Sequence, residues 1–268
     1  MRPVTLITGA SSGIGAELAR VFAAHGHELV ITARREASLA ALAGEIAASG
    51  RPRPTIIVAD LAARDAVAKI AAELLARGLE PQHVVNNAGF GLAGDAAALD
   101  RADQLAMIDL NVRALTALSL AFVDSLARHR GGILNVASIA GFLPGPGMAV
   151  YFASKAYVIS FSEALAAELA GRGVRVTALC PGPVATGFQA RAGLRPGGIG
   201  DRGLLALPAR RVAEIGYAAF MRGKRVVIAG AGNRLAVSFM RLVPHAMLLP
   251  LVQWGMRRGA GDKAQNAL

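Results

Sequence analysis

The chain has 268 residues, 54% of them hydrophobic and 5% aromatic, and a formal net charge of +11. That apolar content excludes a disordered or fibrous protein, and the length fits one α/β domain. The single cysteine, Cys180, excludes an internal disulfide and points to a reducing compartment. Three partners suit the basic excess: nucleic acid, an anionic membrane or an acidic substrate carrier. A merely solvated, Arg-rich surface suits it too. No basic run is interleaved with stacking aromatics, so no nucleic-acid partner is expected. The histidines His25, His27, His83, His129 and His245 lack metal-ligand spacing, and no metal is expected. A strand begins almost at the N-terminus, which leaves no room for a secretory leader, so the expected location is cytoplasmic.

Residues 4–7 read as a strand, and 16–24 carry apolar residues at helical spacing. Between them stands Thr8-Gly9-Ala10-Ser11-Ser12-Gly13-Ile14-Gly15. Strand, glycine turn and helix together suggest dinucleotide binding. Gly9 permits a sharp turn at positive φ. Gly13 lets backbone approach a pyrophosphate, and Gly15 lets the helix pack closely on the sheet. Free N–H groups and the positive helix end then face an anion. A tight turn with no ligand is the bland alternative.

The second strand, 29–33, ends at Thr32-Ala33-Arg34-Arg35. Folds that bind NAD place a carboxylate there, about 20 residues past the glycines, to bond the ribose 2′-OH. Here two guanidiniums stand instead, and a guanidinium grips phosphate with a planar fork. The expected cofactor is therefore NADP(H), with Ser11 or Ser12 adding a hydroxyl to the 2′-phosphate. The alternative is that the arginines only open a surface helix, one of them neutralised by Glu36. That helix spans 36–48. A third, β-branched strand covers 55–59, and Asp60 with Leu61 is expected at the adenine edge. Otherwise Asp60 caps the helix of 63–77.

A fourth strand, 83–85, runs into Asn86-Asn87-Ala88-Gly89. One long helical stretch covers 101–129, a fifth strand 132–136, a helix 150–170 and a sixth strand 174–179. Pro181-Gly182-Pro183 stops that strand. The Gly- and Arg-rich segment 185–208 has weak periodicity and reads as a substrate loop. A helix at 210–221 and a seventh strand at 225–229 follow. Six βα alternations imply a parallel sheet with right-handed crossovers. The expected fold is α/β: a Rossmann-type, doubly wound, seven-stranded parallel sheet in three α/β/α layers, with a helical C-terminal extension.

Tyr151 and Lys155 lie four apart on one face of a predicted helix, and Ser138 closes the preceding strand region. A free phenol has a pKa near 10. A neighbouring ammonium favours the phenolate and lowers that value. The set suits a proton donor, Tyr151, to a carbonyl oxygen that Ser138 holds while hydride arrives. Alone, Tyr-x-x-x-Lys is commonly an exposed amphipathic pair. Cys180 reads as a small core residue.

The glycine turn, Asn86-Asn87-Ala88-Gly89, Asn111, Ser138, Tyr151-Phe152-Ala153-Ser154-Lys155 and Pro181-Gly182 with Thr186 occur in one order and at one spacing. On these motifs, residues 3–232 resemble the short-chain dehydrogenase/reductase (SDR) family. The resemblance implies Tyr151 as catalytic acid/base and Ser138 as the group orienting the carbonyl. It implies that Lys155 lowers the Tyr151 pKa and bonds the nicotinamide ribose, and that Asn111 holds a water relaying protons from Lys155. It has Asn87 brace the central sheet, Ala88 and Gly89 line the cofactor cleft, and Val184 and Thr186 bond the carboxamide. The implied activity interconverts a ketone and a secondary alcohol on a hydrophobic substrate, in a homodimer or homotetramer. A non-catalytic dinucleotide sensor on the same fold is the competing expectation.

The expected division is a catalytic domain at 1–232 and an apolar, basic helical extension at 233–268. Pro244 and Pro250 break that extension into short helices. Packing on its own domain or a subunit mate is one reading. Cover over the active-site mouth is another, and peripheral membrane contact through 233–258 a third.

Overall fold

The computed structural model describes residues 1–184, 187–194, 205–240, 242–243, 247–250 and 252–253. Seven strands form one sheet: β1 (Arg2–Thr8), β2 (Leu29–Ala33), β3 (Thr55–Val58), β4 (Leu79–Asn86), β5 (Gly132–Val136), β6 (Arg175–Cys180) and β7 (Val226–Ile228). Their order is β3-β2-β1-β4-β5-β6-β7, every pair parallel. The chain winds outward from β1 in one direction and from β4 in the other. Their junction is the point where α/β sheets hold ligands.

Alternate strand residues feed two cores. Ile7, Ile31, Val85 and Leu134 pack on one face with Phe22, Leu39 and Phe220. Leu6, Val30, Val84 and Ile133 pack on the other with Ile70, Leu118 and Leu165. The side-chain period of 2 makes this division, and cover on both faces explains strands that are apolar throughout. The helices of the first face are α1 (Gly13–Ala24), α2 (Glu36–Ala48) and α9 (Ala209–Met221). Those of the second include α3 (Ala66–Ala76) and α7 (Ala149–Leu169).

The expected helix of 101–129 is divided. It comprises α4 (Arg101–Ile108), a π-helical turn (Asp109–Ala114), α5 (Leu115–Ala121) and α6 (Val123–Arg128), with a break at Phe122. The wide π turn carries Asn111 inward, where its carboxamide is fully bonded. Strand β4 starts at Leu79 rather than residue 83. Pro81 sits in it because the register with β1 shifts between Val4 and Thr5, a bulge at which no ladder N–H is required. Helix α1 begins at Gly13, inside the glycine motif, rather than at residue 16.

After β7 comes α10 (Ala231–Met240). The expected domain boundary at 232/233 falls within it. Asn233 and Val237 are buried, whereas Leu235 and Phe239 are exposed. Asn233 Nδ2 donates to the carbonyls of Ala229 (2.8 Å) and Leu205 (3.0 Å), tying α10 to the catalytic fold. No helix among the described residues is long and apolar enough to cross a membrane.

Away from the strand ends that carry the glycine turn lies a cluster the sequence did not announce. His27 meets Phe22, His83 and Tyr217 at centroid distances of 5.1, 5.2 and 5.9 Å, and His25 lies against Tyr217 at 4.1 Å. Burial first, and the neighbouring His27 second, push the His83 pKa down to about 3.

Candidate active site

One cleft of about 690 Å³ opens at the C-terminal ends of the strands. It is lined by Gly9, Ser11, Ser12, Gly13, Ile14, Arg34, Arg35, Asp60, Leu61, Asn87, Ala88, Gly89, Ser138, Tyr151, Lys155, Pro181, Gly182 and Val184. Gly15 and Asn111 stand directly behind this wall. Thr186 lies outside the described residues.

The glycine turn is shaped by contacts with β4. Gly9 and Gly13 have φ of +65° and +59°. A Cβ on Gly9 would come within 2.8 Å of Ala88 Cα, and one on Gly15 would overlap the Asn87 amide and the Gly9 carbonyl. Asn87 Nδ2 donates to the carbonyls of Thr8 (3.0 Å) and Gly9 (3.2 Å), so it pins the turn. The bonds to Thr8 at the end of β1 also give Asn87 the expected bracing of the central sheet, and Asn86 extends that bracing to β5 and α5. Its buried amide donates to Ser119 Oγ (3.0 Å) and Asn135 Oδ1 (2.8 Å). Gly15→Ala is expected to destabilise the fold by about 1–3 kcal/mol through this overlap. Thermal unfolding checks it, and an unchanged Tm contradicts the packing described.

At one end of the cleft, Arg35 Nη2 donates to Ser12 Oγ (2.9 Å) and Ser11 Oγ (3.2 Å). The carboxylate that meets Arg34 is Asp60, at 4.0 Å, rather than Glu36. Asp60 also accepts the Ala62 N–H at 3.1 Å. The Arg34–Asp60 pair is exposed and long, hence weak, and leaves the guanidinium open to a stronger anion.

At the other end, α7 supplies Tyr151, Ser154 and Lys155. Ser138, extended at the mouth of β5, accepts the Ala140 N–H at 3.1 Å, and its side chain acts on the Tyr151 hydroxyl, lowering the phenol's pKa slightly. Lys155 Nζ is buried and donates to the Val136 carbonyl at 2.9 Å, 5.8 Å from the Tyr151 ring centroid. Asn111 Nδ2 donates to Phe90 O (2.9 Å) and Ser154 Oγ (3.1 Å), and Ser154 donates to the Tyr151 carbonyl (2.7 Å). Gly89 keeps the space between Asn111 and Lys155 open. A Cβ there would lie 2.9 Å from Asn111 Oδ1 and 3.6 Å from Lys155 Nζ.

Burial dominates the electrostatics around Tyr151, over the lowering expected from Lys155. Burial pushes the phenol up to about 12, against a smaller lowering by the Ser138 hydrogen bond. Burial likewise pushes Lys155 down to about 8. The ammonium is directed at a backbone carbonyl, so desolvation of the phenol prevails. Cys180, buried beside them, is pushed up to about 12 and stays a neutral thiol.

Sequence reasoning missed part of the wall. The five-residue helix α8 (Phe188–Ala192) lies within the expected loop of 185–208. It sets the Phe188 ring 5.3 Å from Tyr151 and the Arg191 guanidinium 4.9 Å over the Phe90 ring. The Ala93 N–H donates to the Ala192 carbonyl at 2.8 Å, fixing α8 across the mouth. Five residues carry too little periodicity for a helix to be read. Met148, beside Tyr151 and Phe188 around Gly91, and Leu194 add apolar surface to the cleft. Gly182 backs directly onto Asn233, where any Cβ would overlap the amide.

A model of the short chain dehydrogenase family matches residues 3–195. The chain belongs to that family. This short-chain dehydrogenase is therefore an oxidoreductase of the class acting on CH–OH and C=O groups. It is 42% identical over 223 residues to a sulfoacetaldehyde reductase of Chromohalobacter salexigens, covering 80% of this chain and 86% of that one. It also resembles a short-chain dehydrogenase of Sphingobium yanoikuyae solved with NADPH. The TM-score is 0.77 and the identity 32%, over 89% of this chain and 93% of the other. A bulky-bulky ketone specific alcohol dehydrogenase of Comamonas testosteroni matches with a TM-score of 0.73 and 28% identity, over 92% and 96% of the two chains. Solved relatives carry NADPH in some cases and NAD in others, so a nicotinamide dinucleotide is the cofactor of this group.

Proposed function

We propose that this short-chain dehydrogenase reduces hydrophobic ketones with NADPH, using Ser138, Tyr151, Lys155 and Asn111. One observation carries the reading. The Ser138–Tyr151 pair and the Arg34–Arg35 pair line a single cleft, the first at the ends of β5 and α7 and the second at the end of β2. The glycine turn fits a dinucleotide, because its positive-φ backbone leaves no side chain between the β1 end and an anion. Gly9, Gly13 and Ile14 would hold the pyrophosphate, and Ser11, Ser12, Arg34 and Arg35 the 2′-phosphate. Asp60 and Leu61 would border the adenine, with Ala88, Gly89, Pro181, Gly182 and Val184 along the remaining length. When bound, the cofactor supplies hydride to the carbonyl carbon.

The chain's own residues handle the proton. Ser138 and Tyr151 present two hydroxyls to the same cleft, where a carbonyl oxygen would accept from both. A phenol with a pKa of about 12 is protonated at neutral pH, as a donor must be. Lys155, still mostly charged near neutrality, stabilises the phenolate that donation leaves. Asn111 positions α7 through Ser154. The apolar surfaces of Met148, Phe188 and Leu194 favour a hydrophobic substrate, in line with the bulky ketones named for the Comamonas enzyme. Sulfoacetaldehyde, named for the Chromohalobacter relative, is small and anionic and suits these walls less. Self-association through α5 and α7 belongs to the same reading, since Leu120 and Tyr157 are exposed there.

Titration with NADPH and NADH, followed by nicotinamide fluorescence, tests the cofactor assignment. Arg34→Ala is expected to weaken NADPH binding by about 10–100-fold, the value of a charge-assisted contact of about 1.5–3 kcal/mol. NADH binding should barely change. Equal affinity of the wild type for both cofactors contradicts the NADP assignment, and binding of neither favours a protein that is not an enzyme.

A further inference from the structure

Arg191 stands in no motif of the family resemblance, yet it lines the same cleft as Arg34, Arg35 and Asp60. Its place is fixed from three directions. The guanidinium lies on the Phe90 ring at 4.9 Å. Its helix is joined to the segment after Gly89 by the Ala93–Ala192 hydrogen bond. Phe188, one turn earlier on the same face, packs against Tyr151. α8 therefore carries its aromatic residue against Tyr151 and its cation over Phe90, in the lining that Arg34, Arg35 and Asp60 share.

The charges agree with that placement. Arg191 is pushed below the ordinary arginine value by burial first and then by Arg34 and Arg35, while Asp60 opposes the shift. Three guanidiniums and one carboxylate leave two uncompensated positive charges in one wall. Such a cluster is unfavourable by itself and becomes favourable around an anion. A phosphomonoester, at about −1.5 to −2 near neutral pH, matches it in sign and size.

We infer that Arg191 is a third cation for the adenosine 2′-phosphate of the dinucleotide, supplied by the substrate side of the cleft rather than by β2. The inference rests on the NADP reading above. It means that the 2′-phosphate holds α8, and with it Phe188, in place over the catalytic tyrosine. Cofactor choice and the shape of the substrate site are thus set by one helix.

The test compares the NADPH and NADH affinities of the wild type, Arg191→Ala, Arg191→Lys and Arg34→Ala by nicotinamide fluorescence. Arg191→Ala should weaken NADPH binding by roughly tenfold, with NADH affinity within about twofold of wild type. Arg191→Lys should fall between, because an ammonium keeps the charge and loses the fork. The exposed position makes an unchanged Tm the expected control. Equal losses for NADPH and NADH overturn the assignment in favour of the pyrophosphate, and no loss for either overturns it outright. If the wild type prefers NADPH and Arg34→Ala abolishes that preference, an unaffected Arg191→Ala refutes Arg191 alone. A wild type without NADPH preference refutes both readings.

Discussion

Tyr151→Phe is expected to lower the rate of ketone reduction by about 10²–10⁴-fold, the contribution of a positioned acid. NADPH affinity should stay near that of the wild type. The substitution removes one hydroxyl and leaves the ring, so stability should fall by no more than about 1 kcal/mol. The ring keeps its packing against Phe152 and Phe188. Steady-state rates with NADPH, beside a cofactor titration of the same variant, separate the two effects. Retained turnover would remove Tyr151 from the chemistry. The pH profile adds a second check. Lys155 is protonated below about 8 and neutral above it, whereas Tyr151 keeps its proton to about 12. Reduction should therefore decline as the pH rises through about 8, with Lys155 rather than Tyr151 setting the limb. A rate that rises through this range contradicts the assignment.

Acid should destabilise the fold through His83. Its folded pKa of about 3 lies below the ordinary 6.5 because burial disfavours the charged ring. The unfolded chain therefore binds a proton first as the pH falls. The stabilisation is complete above about 6.5 and is lost progressively down to about 3. At pH 4.5 the loss is about 3 kcal/mol, two pKa units at about 1.4 kcal/mol each. His27, also lowered by burial, acts in the same direction. Denaturant unfolding at pH 7.0 and pH 4.5 measures the loss, and His83→Phe should remove most of the difference. Carboxylates contribute equally to wild type and variant, so a pH dependence unchanged by the substitution refutes this account of His83.

The parts of this protein that were legible in the sequence are those written locally. The glycine turn needs residues without Cβ at fixed offsets, and buried parallel strands need unbroken apolar runs. Tyr151 and Lys155 need one helix face. What escaped depends on contacts across the fold. The π turn at Asn111 exists because the carboxamide meets Phe90 and Ser154, and neither is near it in sequence. The division of labour between Asn86 and Asn87 follows from which one faces Gly9 and which one faces Asn135. Pro81 disguised the start of β4, since proline argues against a central strand unless a bulge excuses it. The burial that raises the Tyr151 pKa was hidden for the same reason. Spacing placed an ammonium nearby, but only the fold reveals that the ammonium is turned to Val136 and that the phenol is desolvated.

The central claim is that hydride enters a carbonyl carbon in this cleft while the protein supplies the proton. Reduction of a panel of bulky apolar ketones with NADPH deuterated at nicotinamide C4, on the face that is transferred, tests it most directly, with products read by mass spectrometry. The account predicts one deuterium at the carbinol carbon of the product alcohol, formed by the wild type and lost with Tyr151→Phe. Tight NADPH binding with no deuterated alcohol from any ketone would contradict it and leave a dinucleotide-binding protein without the proposed reductase activity.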